Sequence, residues 1–250
     1  MKFKYFLSAL LYTLYISLNC TASVNAFSGI SPSSGNDLTA CPKNKMIYLT
    51  FDDGPSTEVT GKILDILKDK NVKATFFVIG YKIKGHEEIL KRMENEGHSI
   101  GLHTYTHKCS KIYSSPDFFL NEMDKTDEEV ENVLGFSSKI IRFPTGSKGH
   151  LDESLLERLH YSGYKIYDWN LCLSDGIDYR TSVSKLYQEG TKKCINPNKI
   201  FLLAHCDSKN ENTCQALPKI IDYYSNLGYQ FNAITENTPE YHFRVTNQIH

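Results

Sequence analysis

The sequence predicts an α/β fold in which parallel strands alternate with helices around an incomplete barrel of seven strands. Three features support this prediction. Short apolar runs alternate with longer amphipathic segments from Met46 onward, glycines separate the two, and polar residues follow the apolar runs. Such alternation is typical of parallel sheets with helical crossovers. An open doubly wound sheet is the alternative, and the barrel is favoured.

Seven apolar runs are expected to form the strands: residues 46–51, 74–79, 98–102, 139–143, 164–169, 200–205 and 230–234. Six longer segments are expected to form helices: residues 58–70, 87–96, 116–134, 152–161, 182–190 and 215–227. Glycine follows four of these helices, at Gly97, Gly135, Gly163 and Gly228. A residue without a Cβ atom suits the left-handed conformation in which many helices end.

The N-terminus has the composition of a targeting segment. Lys2 and Lys4 precede an apolar stretch over residues 5–18, and small residues follow around Ala26. We expect export from the cytoplasm, either as a secreted or cell-wall protein or with the segment kept as a membrane anchor. The expected organisation is a signal peptide, a flexible lead-in, one globular domain and a tail, over residues 1–26, 27–45, 46–235 and 236–250.

The composition excludes several classes of protein. Apolar residues make up 40% of the chain and charged residues 23%, as in ordinary globular proteins rather than disordered ones. The formal net charge of −1 provides no basic surface for nucleic acid. We therefore expect no nucleic-acid partner, no stable protein partner and a monomer.

Cysteine usage leaves the disulfide pattern open. Loss of Cys20 with the signal peptide leaves six cysteines, an even number that permits disulfides in an exported chain. Two pairs are near each other in sequence, Cys172 with Cys194 and Cys206 with Cys214. Cys41 and Cys109 complete the set.

Residues able to do chemistry follow five of the predicted strands. In strand order they are Asp52, Asp53, His103, His107, Arg142, Asp168 and His205. The carboxyl ends of parallel strands meet on one face, where active sites are built. The sequence therefore predicts one polar site on that face.

The TFDDGPS and HTYTH segments indicate a metal site. Neighbouring residues at a strand end point to opposite sides, so one aspartate could bind a metal while the other takes a proton from water. Two histidines four residues apart would share one face of a helical turn and bind one ion. An aspartate and two histidines leave positions open for water, as a catalytic zinc requires.

Each residue also has a purely structural interpretation. The DGP sequence forms turns in many proteins, and isolated histidines are often satisfied within a core or exposed. Arg142 could form an ordinary ion pair, and Trp169, the single tryptophan, could be a packing residue.

The segments TFDDGP, HTYTH, RFPTG, YDWN and LLAH, in this order, resemble the polysaccharide deacetylases of carbohydrate esterase family 4, the NodB-homology domain. The similarity extends over roughly residues 45–234. It implies a distorted (β/α)7 barrel and one divalent metal ion, zinc above all, with cobalt and manganese as alternatives. It also implies hydrolysis of N-acetyl groups on amino-sugar polymers, or of O-acetyl groups in some members that act on xylan.

The resemblance also implies a role for each site residue. Asp52 would be the catalytic base, and His205 the general acid. The metal ligands would be Asp53, His103 and His107.

Five further residues would support this chemistry. Arg142 would hold the base, and Asp168 would pair with the general acid. Trp169 and Leu203 would line the pocket for the acetyl methyl group, and the backbone N–H of Thr145 would donate to the oxyanion. The chain departs from the family pattern in two places: Thr145 replaces a tyrosine or glycine, and Cys206 replaces an acid that many members carry.

These features favour an exported, metal-dependent N-deacetylase of peptidoglycan that acts on N-acetylglucosamine or N-acetylmuramic acid units. The alternatives are a deacetylase of chitin or its oligosaccharides, a xylan O-acetyl esterase, and a non-catalytic glycan-binding module on the same scaffold. Retention of Asp52 and His205 argues against the last, because binding requires neither a base nor an acid.

Overall fold

Alternating apolar and amphipathic segments fold into a curled parallel sheet with helices packed against its outer face. The computed structural model describes residues 45–245 of the chain. The predicted signal peptide, the lead-in up to residue 44 and the last part of the tail lie outside the described residues.

The described part of the chain contains eight strands: β1 (Met46–Gly54), β2 (Ala74–Val78), β3 (Ser99–Leu102), β4 (Ile140–Ile141), β5 (Lys165–Ile166), β6 (Leu171–Cys172), β7 (Lys199–His205) and β8 (Gln230–Phe231). They follow the order β5-β4-β3-β2-β1-β7-β6, and β8 pairs with the first residues of β1. Every pairing is parallel. Because β5 and β6 are the two ends of this order, the barrel is open between them. The predicted distorted barrel is confirmed.

Eight helices connect these strands: α1 (Val59–Asp69), α2 (Gly80–Ile83), α3 (Glu87–Asn95), α4 (Cys109–Ile112), α5 (Pro116–Leu134), α6 (Glu153–Tyr161), α7 (Val183–Gly190) and α8 (Glu211–Asn226). Side chains of Ser115, Asp152 and Ser182 cap the first turns of α5, α6 and α7. All four glycines predicted to end helices have positive φ. The sequence pattern misses α2, α4 and β6, which are too short to show a period.

Side chains along β1 alternate between two environments. Those that join the large apolar cluster with the helices are Ile47, Leu49 and Phe51. Tyr48 belongs to a smaller cluster inside the barrel, where Thr50 and Asp52 meet Arg142. Asp52 therefore lies at the carboxyl end of a line of inward-facing side chains.

Tyr241 and Phe243, in the tail expected over residues 236–250, contact the barrel. Tyr241 forms a parallel bridge with Tyr167, beside the open edge of the sheet. The backbone N–H of Asp168 donates to Tyr241 O at 2.6 Å, and the N–H of Phe243 donates to the Asp168 carboxylate at 2.7 Å.

The described cysteines are all free thiols: Cys109, Cys172, Cys194, Cys206 and Cys214. Neither of the two disulfides considered from the sequence is therefore formed. Among residues 45–245, no helix has the length and apolar character needed to cross a membrane.

Candidate active site

A bulge at the end of β1 brings two neighbouring carboxylates to the same place. Asp52 pairs with Phe77 on β2, but the next pairing is made by Gly54, so Asp53 is an extra residue with φ 71°. Asp52 Oδ2 and Asp53 Oδ1 lie 3.7 Å and 3.6 Å from the same atom, His103 Nε2. The expectation that the two side chains point to opposite sides is therefore wrong, because a bulge re-aims the second side chain.

The two histidines of HTYTH also meet, but they do not lie on a helix. Residues 103–108 form a loop in which Thr104 and His107 have φ of 66° and 54°. The loop returns the chain so that the two imidazole rings lie 5.0 Å apart. The predicted helical turn is wrong, because two left-handed residues break the helical path, whereas the predicted proximity of the rings is confirmed.

Asp53, His103 and His107 form a group that fits a metal ion. One ligand atom from each lies within 4.8 Å of the others. Asp53 Oδ1 is buried, has no hydrogen-bond partner among residues 45–245, and is 3.3 Å from His107 Nε2. A tetrahedral ion with bonds of about 2.0–2.1 Å separates its ligand atoms by about 3.3 Å. The spacing and the unpartnered oxygen both match a divalent cation.

Hydrogen bonding and burial keep both imidazoles suited to a metal. His103 Nδ1 lies 2.9 Å from the backbone oxygen of Arg142, which fixes the proton on Nδ1 and leaves Nε2 as the lone-pair atom. Burial lowers the pKa of His107, and the neighbouring His103 lowers it further. Both effects favour the neutral form that binds metals.

Arg142 connects the carboxylate of Asp52 to His103, a member of the group that fits a metal ion. Its side chain is fully buried, with Nη1 donating to Asp52 Oδ1 at 2.9 Å and to Thr50 Oγ1 at 2.6 Å. Two further donors reach the backbone oxygens of Tyr167 and Asp168. The same residue accepts the hydrogen bond from His103. Arg142 therefore fixes one oxygen of Asp52 and leaves the other facing His103.

His205 ends β7 beside Asp52, and its partner is Asp175. The Nδ1 atom lies 2.9 Å from Asp175 Oδ1, and the backbone N–H of His205 donates to Oδ2 at 2.9 Å. Thr213 Oγ1 donates to the same Oδ2 at 2.7 Å. Burial alone lowers the pKa of His205, but Asp175, Asp52 and Asp53 outweigh it and raise the pKa to about 9.

Gly176 makes this close packing feasible. A Cβ atom at Gly176 would lie 2.3 Å from His205 Cε1 and 2.4 Å from Nε2, much closer than atoms in contact can approach. The imidazole therefore rests directly on the backbone of residue 176.

The expected pairing of Asp168 with His205 is wrong. The buried Asp168 carboxylate accepts hydrogen bonds from the backbone N–H and hydroxyl of Ser147 and from the N–H of Phe243. These contacts hold the turn at Thr145, which is exposed and has φ 66°. Asp168 thus supports the loop after β4.

The structure places the two expected pocket residues at different depths. Leu203 is buried on β7, two residues before His205, and therefore on the same side of the strand. Trp169 is half-buried, packs edge-on against Phe243, and has the Arg142 guanidinium 5.7 Å from its ring.

Cys206, the departure noted in the last motif, does not face the site. Its buried thiol donates to the backbone oxygen of Asp52 at 3.3 Å, and burial raises its pKa. Asp207 pairs with Lys82 at 2.8 Å, and Lys82 also donates to Asp53 O at 2.8 Å.

Asp175, the hydrogen-bond partner of His205, is not among the site residues expected from the sequence. The available signal is an acid followed by glycine a few residues beyond a strand, as in Asp53-Gly54. It is hidden because β6 is only two residues long, so the expected strand ends at residue 169.

Comparison with known proteins identifies the family of the chain. The sequence model of the family described as polysaccharide deacetylase matches residues 39–167. The chain is 32% identical over 210 residues to a peptidoglycan-N-acetylglucosamine deacetylase of Bacillus cereus, covering 81% of this chain and 73% of that protein. It is also 32% identical over 194 residues to a peptidoglycan-N-acetylmuramic acid deacetylase of Bacillus subtilis, covering 78% and 72%.

A solved structure gives the same result for the fold. The structure of a Streptococcus mutans CE4 esterase matches with a TM-score of 0.72 and 32% sequence identity, covering 77% of this chain and 87% of that one.

Proposed function

Because the chain belongs to the polysaccharide deacetylase family, we propose that it removes N-acetyl groups from the amino sugars of peptidoglycan. The observation that carries the proposal is the arrangement around His103. Asp52 Oδ2, on the carboxylate that Arg142 holds, and Asp53 Oδ1, a member of the proposed ligand group, lie 3.7 Å and 3.6 Å from Nε2 of His103, which belongs to the same group. The named relatives act on N-acetylglucosamine or N-acetylmuramic acid units of peptidoglycan, which makes these the proposed substrates.

Asp53, His103 and His107 would hold the ion, and zinc suits a set of two imidazoles and one carboxylate with open positions. When bound, such an ion polarises the acetyl carbonyl and lowers the pKa of water. Asp52 accepts the proton of the attacking water at Oδ2, because Arg142 occupies Oδ1.

Two further groups complete the proposed reaction. His205, protonated through its pairing with Asp175, donates a proton from Nε2 to the departing amine. The backbone N–H of Thr145 donates to the oxyanion, on a turn that Asp168 holds in place. Leu203 and Trp169 exclude water from the acetyl methyl group.

The proposal is tested by measuring acetate release and product masses from peptidoglycan, chitin and xylan fragments. We expect each modified amino sugar of peptidoglycan to lose the mass of its acetyl group. A chelator should abolish this deacetylation, and zinc should restore it. Activity only on chitin oligomers or only on xylan esters would replace the proposed substrate. Binding of fragments without acetate release would establish the glycan-binding alternative.

We also propose that the protein acts outside the cytoplasm, where peptidoglycan is located. The positive and apolar N-terminal segment supports this proposal. Fractionation of cells that produce the tagged chain tests it, since accumulation in the cytoplasm would contradict export.

A further inference from the structure

The loop between the two histidine ligands adopts a conformation that its own sequence does not favour. Thr104 and His107 both have positive φ, at 66° and 54°. Residues other than glycine pay free energy for this backbone region and stay there only when their surroundings fix them. The contacts on the two sides of residues 104–107 therefore control the position of His107.

Helix α2 fixes the first half of this loop. The backbone N–H groups of Gly80 and Tyr81 donate to the backbone oxygens of Thr104 and Tyr105 at 3.0 Å and 3.1 Å. The approach is close, because a Cβ atom at Gly80 would lie 2.5 Å from the Tyr105 ring.

Helix α5 fixes the second half through a buried carboxylate. Glu122 is only 2% exposed, and its Oε2 accepts from the backbone N–H of Thr106 at 2.6 Å and from Thr106 Oγ1 at 2.9 Å. Burying a carboxylate is costly unless hydrogen bonds compensate it. Thr106 supplies two donors to one oxygen, and the next residue in the chain is His107.

We propose that Glu122 is a positioning residue for the metal site and acts on His107 through Thr106. Its carboxylate fixes the peptide immediately before the ligand, so the Nε2 atom of His107 is held at 3.3 Å from Asp53 Oδ1 before an ion binds. Partners behind the direct ligands commonly contribute in this way to metal affinity. The inference rests on the proposed metal site and extends it to a residue that contacts no ligand atom.

Helix α5 also offers a matched control. Asp127 is a second buried carboxylate on the same helix, and it accepts from the backbone N–H of Ser138 at 2.6 Å and from the hydroxyl of Ser137 at 2.5 Å. These contacts hold the loop after α5, which carries none of the three proposed ligands. Removal of Asp127 should therefore destabilise the fold in a similar way without moving His107.

The test is a Co²⁺ and Zn²⁺ titration of the purified full chain, with affinity measured by chelator competition and ligand geometry by the Co²⁺ absorption spectrum. We expect Glu122→Met to weaken metal affinity by about 10-fold to 100-fold. Glu122→Gln keeps an oxygen that can accept both hydrogen bonds, so its affinity should return toward that of the wild type. Asp127→Leu should lower the melting temperature and leave both the affinity and the spectrum unchanged.

Equal metal affinity of folded Glu122→Met and wild type would overturn the proposal, as would the same loss of affinity in Asp127→Leu. If Glu122→Met does not fold, Thr106→Val decides, because it removes only the hydroxyl donor: weaker binding supports the proposal and unchanged binding contradicts it. A wild-type chain that binds neither ion would instead remove the proposed metal site itself.

Discussion

Replacing Asp175 with asparagine should convert His205 from a charged to a neutral side chain at the pH of catalysis. The Asp175 carboxylate accepts from both the ring and the backbone of His205, and it is 2% exposed. An asparagine has no negative charge. If it keeps its oxygen on the backbone N–H, it also turns an N–H toward Nδ1, which opposes protonation of the ring.

The size of the effect follows from the pKa of His205. Asp175, together with Asp52 and Asp53, raises this pKa to about 9, against an ordinary value of 6.5. Without the Asp175 charge, burial should bring it back toward the ordinary value. For a return to 6.5, the protonated fraction at pH 8 falls from about 0.9 to about 0.03, a loss of about 30-fold, whereas at pH 6 the loss is below about 2-fold.

The assay is the pH profile of kcat/KM for acetate release between pH 5 and pH 10 on one oligosaccharide. Under the proposed role of His205 as general acid, activity should fall as pH rises through its pKa, and the alkaline limb of Asp175→Asn should lie at lower pH than that of the wild type. A bound cation shifts both proteins in the same direction, so the difference between them is the tested quantity.

Thr213→Val is the matched control for this experiment. It removes the hydroxyl that donates to Asp175 Oδ2 but leaves the charge in place. We expect its alkaline limb to stay close to that of the wild type. If Asp175→Asn lost no more activity at pH 8 than at pH 6, the assignment of His205 as the proton donor would have to be abandoned.

Three other changes test separate parts of the structure. Asp52→Asn should lower kcat by about 100-fold or more while the ion remains bound, and unchanged turnover would exclude Asp52 as the base. Gly176→Ala should displace the His205 ring, because the new Cβ would lie 2.3 Å from it; kcat should fall with metal content unchanged, and wild-type kcat would contradict this contact. Burial and, to a lesser extent, the charge of Lys73 lower the pKa of His98 to about 4. The pKa of His98 is lower in the folded than in the unfolded chain, so the unfolded chain binds a proton first as the pH falls. The free energy of unfolding therefore keeps its full His98 contribution above pH 6.5 and loses about 3 kcal/mol as the pH falls to 4. The free energy of unfolding in urea should change less between pH 7 and pH 4.5 for His98→Asn than for the wild type. An equal change in the two proteins would refute this role of His98.

The sequence predicts the fold well where elements are long. The strands that become β1 and β7 and the helix that becomes α5 have enough residues for the apolar period to show, and the glycines after helices mark their ends correctly. It predicts poorly where an element is short or where conformation depends on distant contacts. A helical turn fits the spacing of His103 and His107, but contacts of the intervening residues 104–106 with α2 and α5 favour the loop that forms.

The candidate site shows the same division. Most residues of the candidate site, although not Asp175, could be named from strand ends, because parallel strands deliver their carboxyl ends to one face. Which of these residues pair with each other could not be predicted from the sequence, because the pairing depends on the path of the loops. Asp168 and Asp175 are seven residues apart, and both are buried acids in the region between β5 and β7. Only the fold shows that Ser147 binds the first and His205 the second.

The bulge at Asp53 explains how two adjacent aspartates serve one reaction centre. In a regular strand, Asp53 would point toward the helices, because its neighbour points into the barrel. The positive φ at Asp53 turns it back, and Gly54 then passes close to Cys206, where a Cβ atom would lie 2.7 Å from Sγ. The two carboxylates differ in their hydrogen bonds: Arg142 donates to Asp52, while Asp53 Oδ1 has no partner among the described residues. The carboxylate left without a donor is thus the one suited to a cation, and the carboxylate held by the guanidinium is the one suited to accept a proton.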